Sequence, residues 1–175
     1  MMDVSCIQPH QTIAPIVSQG IDRKSFLALA ATALAGAALW RPAHAATATM
    51  RLAAPQRAWD KVEFTYPGAE QSFPGIAVRL PQAAGGGLCA VCSICPHMGC
   101  IFGYETDYED VGSMIGIRLS HPVFHCACHG STYDPLRIDN VIHGPTPRRP
   151  WLFTVHEDAG DIVVSGIEAG AGEIG

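Results

Sequence analysis

An all-β fold is predicted for this 175-residue chain from three observations. Charged residues make up only 15 % of it, 18 Gly and 13 Pro punctuate it, and after residue 46 no helix-period apolar run appears while short alternating segments recur. The length suits one core and leaves no room for a separate catalytic domain beside it. With 48 % hydrophobic residues the composition is not that of a disordered chain. The formal charge of -5, with basic residues scattered rather than gathered into a stripe, argues against nucleic acid as a partner.

The first 45 residues read as an export signal. Arg23-Lys24-Ser25-Phe26-Leu27 leads into an apolar run from Phe26 to Trp40, followed by Ala43-His44-Ala45. That is the order of charged region, hydrophobic region and small-residue cleavage site. The run holds 15 residues, seven of them alanine, against the roughly 20 that span a bilayer, so cleavage is expected and membrane association only if the leader is retained as an anchor. The segment resembles a twin-arginine signal, the route for proteins exported already folded, with Lys24 in place of the second arginine. A periplasmic location follows as the expectation. Without residues 1–45 the chain keeps 8 basic and 14 acidic residues, a net charge of -6.

In the remainder, residues 46–175, strand signals alternate with turns. Lys61-Val62-Glu63-Phe64-Thr65-Tyr66 alternates polar with apolar and stops at Pro67-Gly68, and Gly75-Ile76-Ala77-Val78-Arg79-Leu80 does the same before Pro81. After Gly85-Gly86-Gly87, Leu88 to Ile94 reads as a continuous apolar strand leading directly into Cys95. Trp151 to Val155 and Asp161 to Ser165 flank Asp158-Ala159-Gly160 as a hairpin.

The chemistry lies in two short segments, Cys95-Pro96-His97-Met98-Gly99-Cys100 and Cys126-Ala127-Cys128-His129. Each offers a thiol and an imidazole within three residues: Cys95 with His97, and Cys126 with His129. Ligands of this softness suit zinc or an iron–sulfur centre better than calcium or magnesium. A Cys2His2 zinc site uses those four. It leaves Cys100 and Cys128 unexplained, one in each segment, and in an exported protein two such thiols suit a disulfide.

The pattern Cys-x-His-x-Gly-Cys followed by Cys-x-Cys-His-x-Ser, at 95–100 and 126–131, resembles that of Rieske proteins. The resemblance covers roughly residues 60 to 170. It implies an antiparallel β-sandwich with a small cluster-binding subdomain of loops, and one [2Fe–2S] cluster per chain. In this pattern Cys95 and Cys126 bind one iron, His97 and His129 bind the other, and Cys100 pairs with Cys128. Ser131 and Tyr133 stand where quinol-oxidising members donate hydrogen bonds to cluster sulfur, which raises the reduction potential. Gly144-Pro145-Thr146-Pro147 resembles the stiff proline loop that covers the cluster. Exposed outer nitrogens on the two imidazoles couple proton release to oxidation. Rieske oxygenases generally lack the second cysteine pair, and this chain has no room for a mononuclear-iron domain.

Such a domain turns over no substrate alone and serves as an electron-transfer subunit, so its role depends on partners. The exported leader and the stretch Val62-Glu63-Phe64-Thr65-Tyr66-Pro67 through Ile76-Ala77-Val78 to the first motif look like the small subunit of arsenite oxidase, which implies a molybdopterin catalytic subunit and a c-type cytochrome acceptor. Gly130-Ser131-Thr132-Tyr133-Asp134 and the proline loop are similar instead to the iron–sulfur subunit of cytochrome bc-type quinol:cytochrome c oxidoreductases, with a cytochrome b partner. A free-standing soluble carrier is the third expectation.

The 25 residues from Ile101 to His125 are about twice the separation either family implies. Their acidic part, Glu105-Thr106-Asp107-Tyr108-Glu109-Asp110, reads as a solvated loop, with docking of a basic cytochrome as the alternative. Cys89-Ala90-Val91-Cys92 looks like a redox Cys-x-x-Cys, but positions three apart in a strand face opposite sides, so buried thiols are expected. His121, His125, His143 and His156 read as ordinary loop or strand residues, and Arg148-Arg149 as a solvated turn or a partner-orienting pair.

Overall fold

The computed structural model describes residues 48–174. The expected leader at 1–45, with Cys6, lies outside them. Among the described residues, ten strands form three antiparallel sheets. The first has the order β1 (Met50–Ala53), β10 (Asp161–Ile167), β9 (Phe153–Asp158). The second is β2 (Lys61–Pro67), β3 (Ser72–Arg79), β4 (Leu88–Cys92). The third is β5 (Gly103–Glu105), β6 (Val123–Cys126), β7 (Ser131–Tyr133), β8 (Val141–His143).

The second sheet lies between two cores, and its side-chain alternation shows how. From β3 and β4, Phe73, Ala77, Leu88, Ala90 and Cys92 enter one core with Phe153, Val155, Ile162 and Val164 of the first sheet. The interleaved Ile76, Val78, Cys89 and Val91 enter the other with Phe102, Tyr104, Phe124 and Tyr133 of the third sheet and its approach. Every residue of β4 is buried, which is why Leu88 to Cys92 is apolar without a break while β2, wet on one face, alternates. Cys89 and Cys92 stand in opposite cores, as the strand period requires.

The two base sheets approach closely at Gly75. A β-carbon there would collide with the Phe64 ring and lie 2.7 Å from that of Phe153. They are stitched at the edge by Cys92 N–H donating to the Trp151 carbonyl at 2.8 Å and by the Val91–Leu152 bridge. The expected hairpin joins β9 to β10, with Asp158 opposite Asp161. Ala159 and Gly160 take φ of 52° and 87°, the pair of left-handed residues a tight hairpin needs.

One element departs from expectation. The acidic segment is not a bare loop but leads into a helix, α1 (Tyr108–Ile115), so a helix does follow residue 46. Glu109 and Asp110 lie in its first turn, where the helix dipole favours acids, and Gly116 ends it at φ 71°. Only Val111 and Gly112 of it are buried. Two turns with one buried apolar side chain leave no helix-period stripe to read.

Trp59, a tryptophan at φ 69°, ties the base to the third sheet. Its N–H donates to the Arg79 carbonyl at 2.8 Å, its carbonyl accepts from Tyr104 Oη at 3.1 Å, and its ring stacks on His121 with centroids 5.4 Å apart. Tyr104, which directly precedes the acidic segment, is buried.

Gly75→Ala should lower the unfolding free energy by about 1–3 kcal/mol, the range for overpacking a close-packed core. Urea titration against wild type measures it, and an unchanged midpoint would contradict the contact between the two base sheets.

Candidate metal centre

Both cysteine motifs fold into the same kind of turn. The Cys95 carbonyl accepts from Gly99 N–H at 2.9 Å, and the Cys126 carbonyl accepts from Gly130 N–H at 2.9 Å. The two glycines have φ of 73° and 76°, a conformation that strains other residues. The first turn is closed at its base by Cys95 N–H to the Cys100 carbonyl at 2.7 Å and by the Ile94–Ile101 bridge. The second is the connection between β6 and β7, with Cys126 opposite Ser131.

The turns face each other and are cross-linked. Cys100 and Cys128 form a disulfide with Cα atoms 6.6 Å apart. Cys126 Sγ lies within 4.8 Å of both its sulfurs, but those two are engaged with each other and offer no thiolate. Cys95 and Cys126 remain as unbridged, buried thiols. The His97 and His129 rings meet edge to face, centroids 4.8 Å apart at 86°. His97 Nδ1 is buried with no hydrogen-bond partner, while His129 is exposed.

The surroundings are polar where the core would otherwise be apolar. Tyr133 is fully buried, with Oη 3.3 Å from Cys95 Sγ. Burial pushes its phenol up, the Cys95 contact adds to this and the Thr146 hydroxyl opposes it, so the phenol keeps its proton. Ser131 Oγ is buried and unpartnered. Burial also pushes the Cys126 thiol up, opposed by the Cys128 backbone and reinforced by the neighbouring Cys95. A thiol so placed gives up its proton to a bound cation rather than to water.

The loop of residues 144–147 lies against β7. Gly144, at φ 99°, rests on Ser131 so closely that any β-carbon would collide with the Ser131 backbone. Thr146 is buried and donates to the Arg148 carbonyl at 2.9 Å, while Pro145 and Pro147 are exposed. Arg148 and Arg149 are held by ion pairs within the domain. Both bind Glu168, at 3.1 and 2.7 Å, and Arg149 also binds Asp139 at 2.7 Å. Burial alone would raise Glu168, yet Arg149, the Leu152 N–H and Arg148 hold it below the usual carboxylate range.

The model of the Rieske [2Fe-2S] domain matches residues 62–158, more than half of the chain and both motifs. The chain belongs to the Rieske family. Among relatives, the chloroplastic cytochrome b6-f complex iron–sulfur subunit of Bigelowiella natans is 33 % identical over 73 residues, 42 % of this chain and 23 % of that protein. The match thus spans under a quarter of that relative's length. Similar solved structures include the plasma-membrane Rieske protein of the cyanobacterium Synechocystis, at 20 % identity and TM-score 0.42 over 58 % of this chain and 84 % of that one. Another is the soluble domain of Rieske protein II of Sulfolobus acidocaldarius, at 22 % and 0.47 over 65 % and 73 %.

The cofactor of this Rieske domain is a [2Fe–2S] cluster. The donor set fits it: two buried thiols, an orphaned buried imidazole nitrogen and a second imidazole converge beside two hydroxyls. Sequence reasoning left three residues of the site as ordinary or unremarked. Thr132 donates to the Gly130 carbonyl at 3.0 Å, His143 Nδ1 lies 3.1 Å from the same oxygen, and His125 Nδ1 lies 2.9 Å from Thr132 Oγ1. Only their β pairing, invisible in strands this short, aligns them.

Replacing both Cys100 and Cys128 by Ser should cost about 3–4 kcal/mol of stability, the loop-entropy value for a cross-link spanning 28 residues. Denaturation of wild type with and without a reductant, compared with the double variant, checks it: the two should differ only under oxidising conditions.

Proposed function

We propose that the chain is the electron-transfer subunit of a larger oxidoreductase, in which Cys95, His97, Cys126 and His129 hold the cluster and single electrons pass on to a c-type cytochrome. The observation that carries this is the buried, unpartnered Nδ1 of His97 beside the His129 ring and two buried thiols. The bound group supplies one-electron chemistry, with a potential raised by two neutral imidazoles in place of two thiolates.

The chain's own groups add to that. The Tyr133 hydroxyl donates toward Cys95 Sγ, and the unpartnered Ser131 hydroxyl is a second donor at hand, both favouring the more negative reduced state. Exposed His129 keeps an outer nitrogen for a partner's hydrogen bond and for release of a proton. Met98 and Ile101, 61 % and 63 % exposed, and Ile174, which lies against Gly99, give the same end of the domain apolar contacts for docking. Export to the periplasm by the leader expected at residues 1–45 belongs to this reading.

For the electron donor, the Tyr133–Cys95 contact, the buried Ser131 and the likeness to a cytochrome b6-f iron–sulfur subunit favour a quinol-oxidising assembly with a cytochrome b. The molybdopterin assembly expected from residues 62–67 is the competing outcome of one experiment. Copurification from the native host identifies a cytochrome b or a molybdopterin subunit, and the recovery of neither would leave a free-standing carrier.

The dithionite-reduced protein should show an electron paramagnetic resonance signal with the low average g of mixed His/Cys ligation, and its loss in His97→Ala and His129→Ala. Stoichiometric zinc with no such signal would end this reading. Tyr133→Phe should lower the midpoint potential by about 40–60 mV, the equivalent of one hydrogen bond of about 1–1.5 kcal/mol. Redox titration followed by the same signal measures it.

A further inference from the structure

The two cysteine turns are alike in their inner hydrogen bond but not in what holds them from outside. The first is closed at its base by main-chain bonds. Behind the second, one residue from each strand of the third sheet stands in a row: Gly103 opposite His125, His125 opposite Thr132, Thr132 opposite His143. The row converges on one atom, the carbonyl oxygen of Gly130, which follows His129 directly. Thr132 Oγ1 lies 3.0 Å from it and His143 Nδ1 3.1 Å.

The proton positions follow from what each group can do. A carbonyl only accepts, so His143 must carry its proton on Nδ1. Thr132 has one hydroxyl proton and gives it to Gly130, so at 2.9 Å it can only accept from His125, whose proton is also on Nδ1. His125 and Thr132 are buried, and the His143 ring packs alongside the Gly130 α-carbon, 3.4 Å from where a side chain would start. Gly130 N–H is already bonded to Cys126. The peptide on each side of Gly130 is therefore held, the one that joins it to His129 from inside the turn and the one that joins it to Ser131 from the sheet.

We propose that Thr132 and His143, with His125 behind Thr132, are positioning residues that set the orientation of the turn carrying His129 by holding the Gly130 carbonyl. This rests on the reading of His129 as a cluster ligand. His143 also precedes Gly144, whose α-carbon lies against Ser131, so the same residue fixes the covering loop relative to the turn. Neither His143 nor Thr132 touches the reacting atoms.

The test uses the cluster-loaded full chain. His143→Leu, at an exposed position where folding is not at risk, and Thr132→Val, which removes the hydroxyl at nearly constant shape, should each broaden or shift the g values of the reduced protein. Each should also change the equilibrium constant for one-electron reduction by at least about threefold, about 28 mV at 59 mV per tenfold. His143→Asn and Thr132→Ser, which restore a donor to the Gly130 oxygen, should recover the wild-type spectrum. If both donor-less variants keep the wild-type g values and potential, the proposal is overturned. A recovery by His143→Leu equal to that by His143→Asn would overturn it too. A wild-type protein without the mixed-ligand signal would remove the reading beneath it, a result distinct from unmoved variants of a protein that shows the signal.

Discussion

Whatever the first motif brings to the metal centre arrives on β4, and β4 is held because neither of its faces meets water. Leu88, Ala90 and Cys92 are locked among the phenylalanines and branched side chains of the base, while Cys89 and Val91 are locked among the aromatics under the third sheet. At about 25 cal/mol for each square ångström of apolar surface buried, a strand with two dry faces gains roughly twice what a one-sided strand gains. Cys95 is the next buried member of the second core, so the first cysteine turn starts from a strand buried on both faces. The third sheet is docked on the same core through Phe102, Phe124 and Tyr133, and it supplies the second turn. The disulfide then joins two turns that packing has already placed face to face.

The parts of this that a linear pattern reveals are the parts with enough length to show a period. β2 alternates over seven residues, β4 runs apolar over five, and Asp158-Ala159-Gly160 marks the hairpin between β9 and β10. The cysteine and histidine spacings are legible for another reason: a turn of four residues fixes which neighbours converge. β5, β7 and β8 have three residues each, too few for any period, and Ser131-Thr132-Tyr133 reads as polar although all three are buried. α1 hides because it buries a single apolar side chain. The row from His125 to His143 is a property of strand register, which no single segment carries.

The third sheet's short strands are sufficient because their polar side chains do more than fill space. Of its buried hydroxyls, Tyr133 lies against Cys95 Sγ, Ser131 has no partner, and Thr132 bonds the turn's own backbone. Buried polar groups rigidify only when their partners are specified. Here the Thr132 hydroxyl is satisfied within the turn while the neighbouring Ser131 hydroxyl is not, so on the function proposed above the turn's shape and the cluster's stabilisation would rest on different atoms of adjacent residues.

The extra length between the two motifs lies almost wholly between Glu105 and Val123, which are paired across β5 and β6. Its ends are thus held side by side by the sheet, and closure cost rises only slowly with the number of residues enclosed. Substitution, shortening or grafting within 106–120, short of His121 and its stack on Trp59, leaves both ends where the sheet puts them. A segment hung on paired strands in this way is an appendage of the sheet, and its length is uncoupled from the spacing of the two cysteine turns.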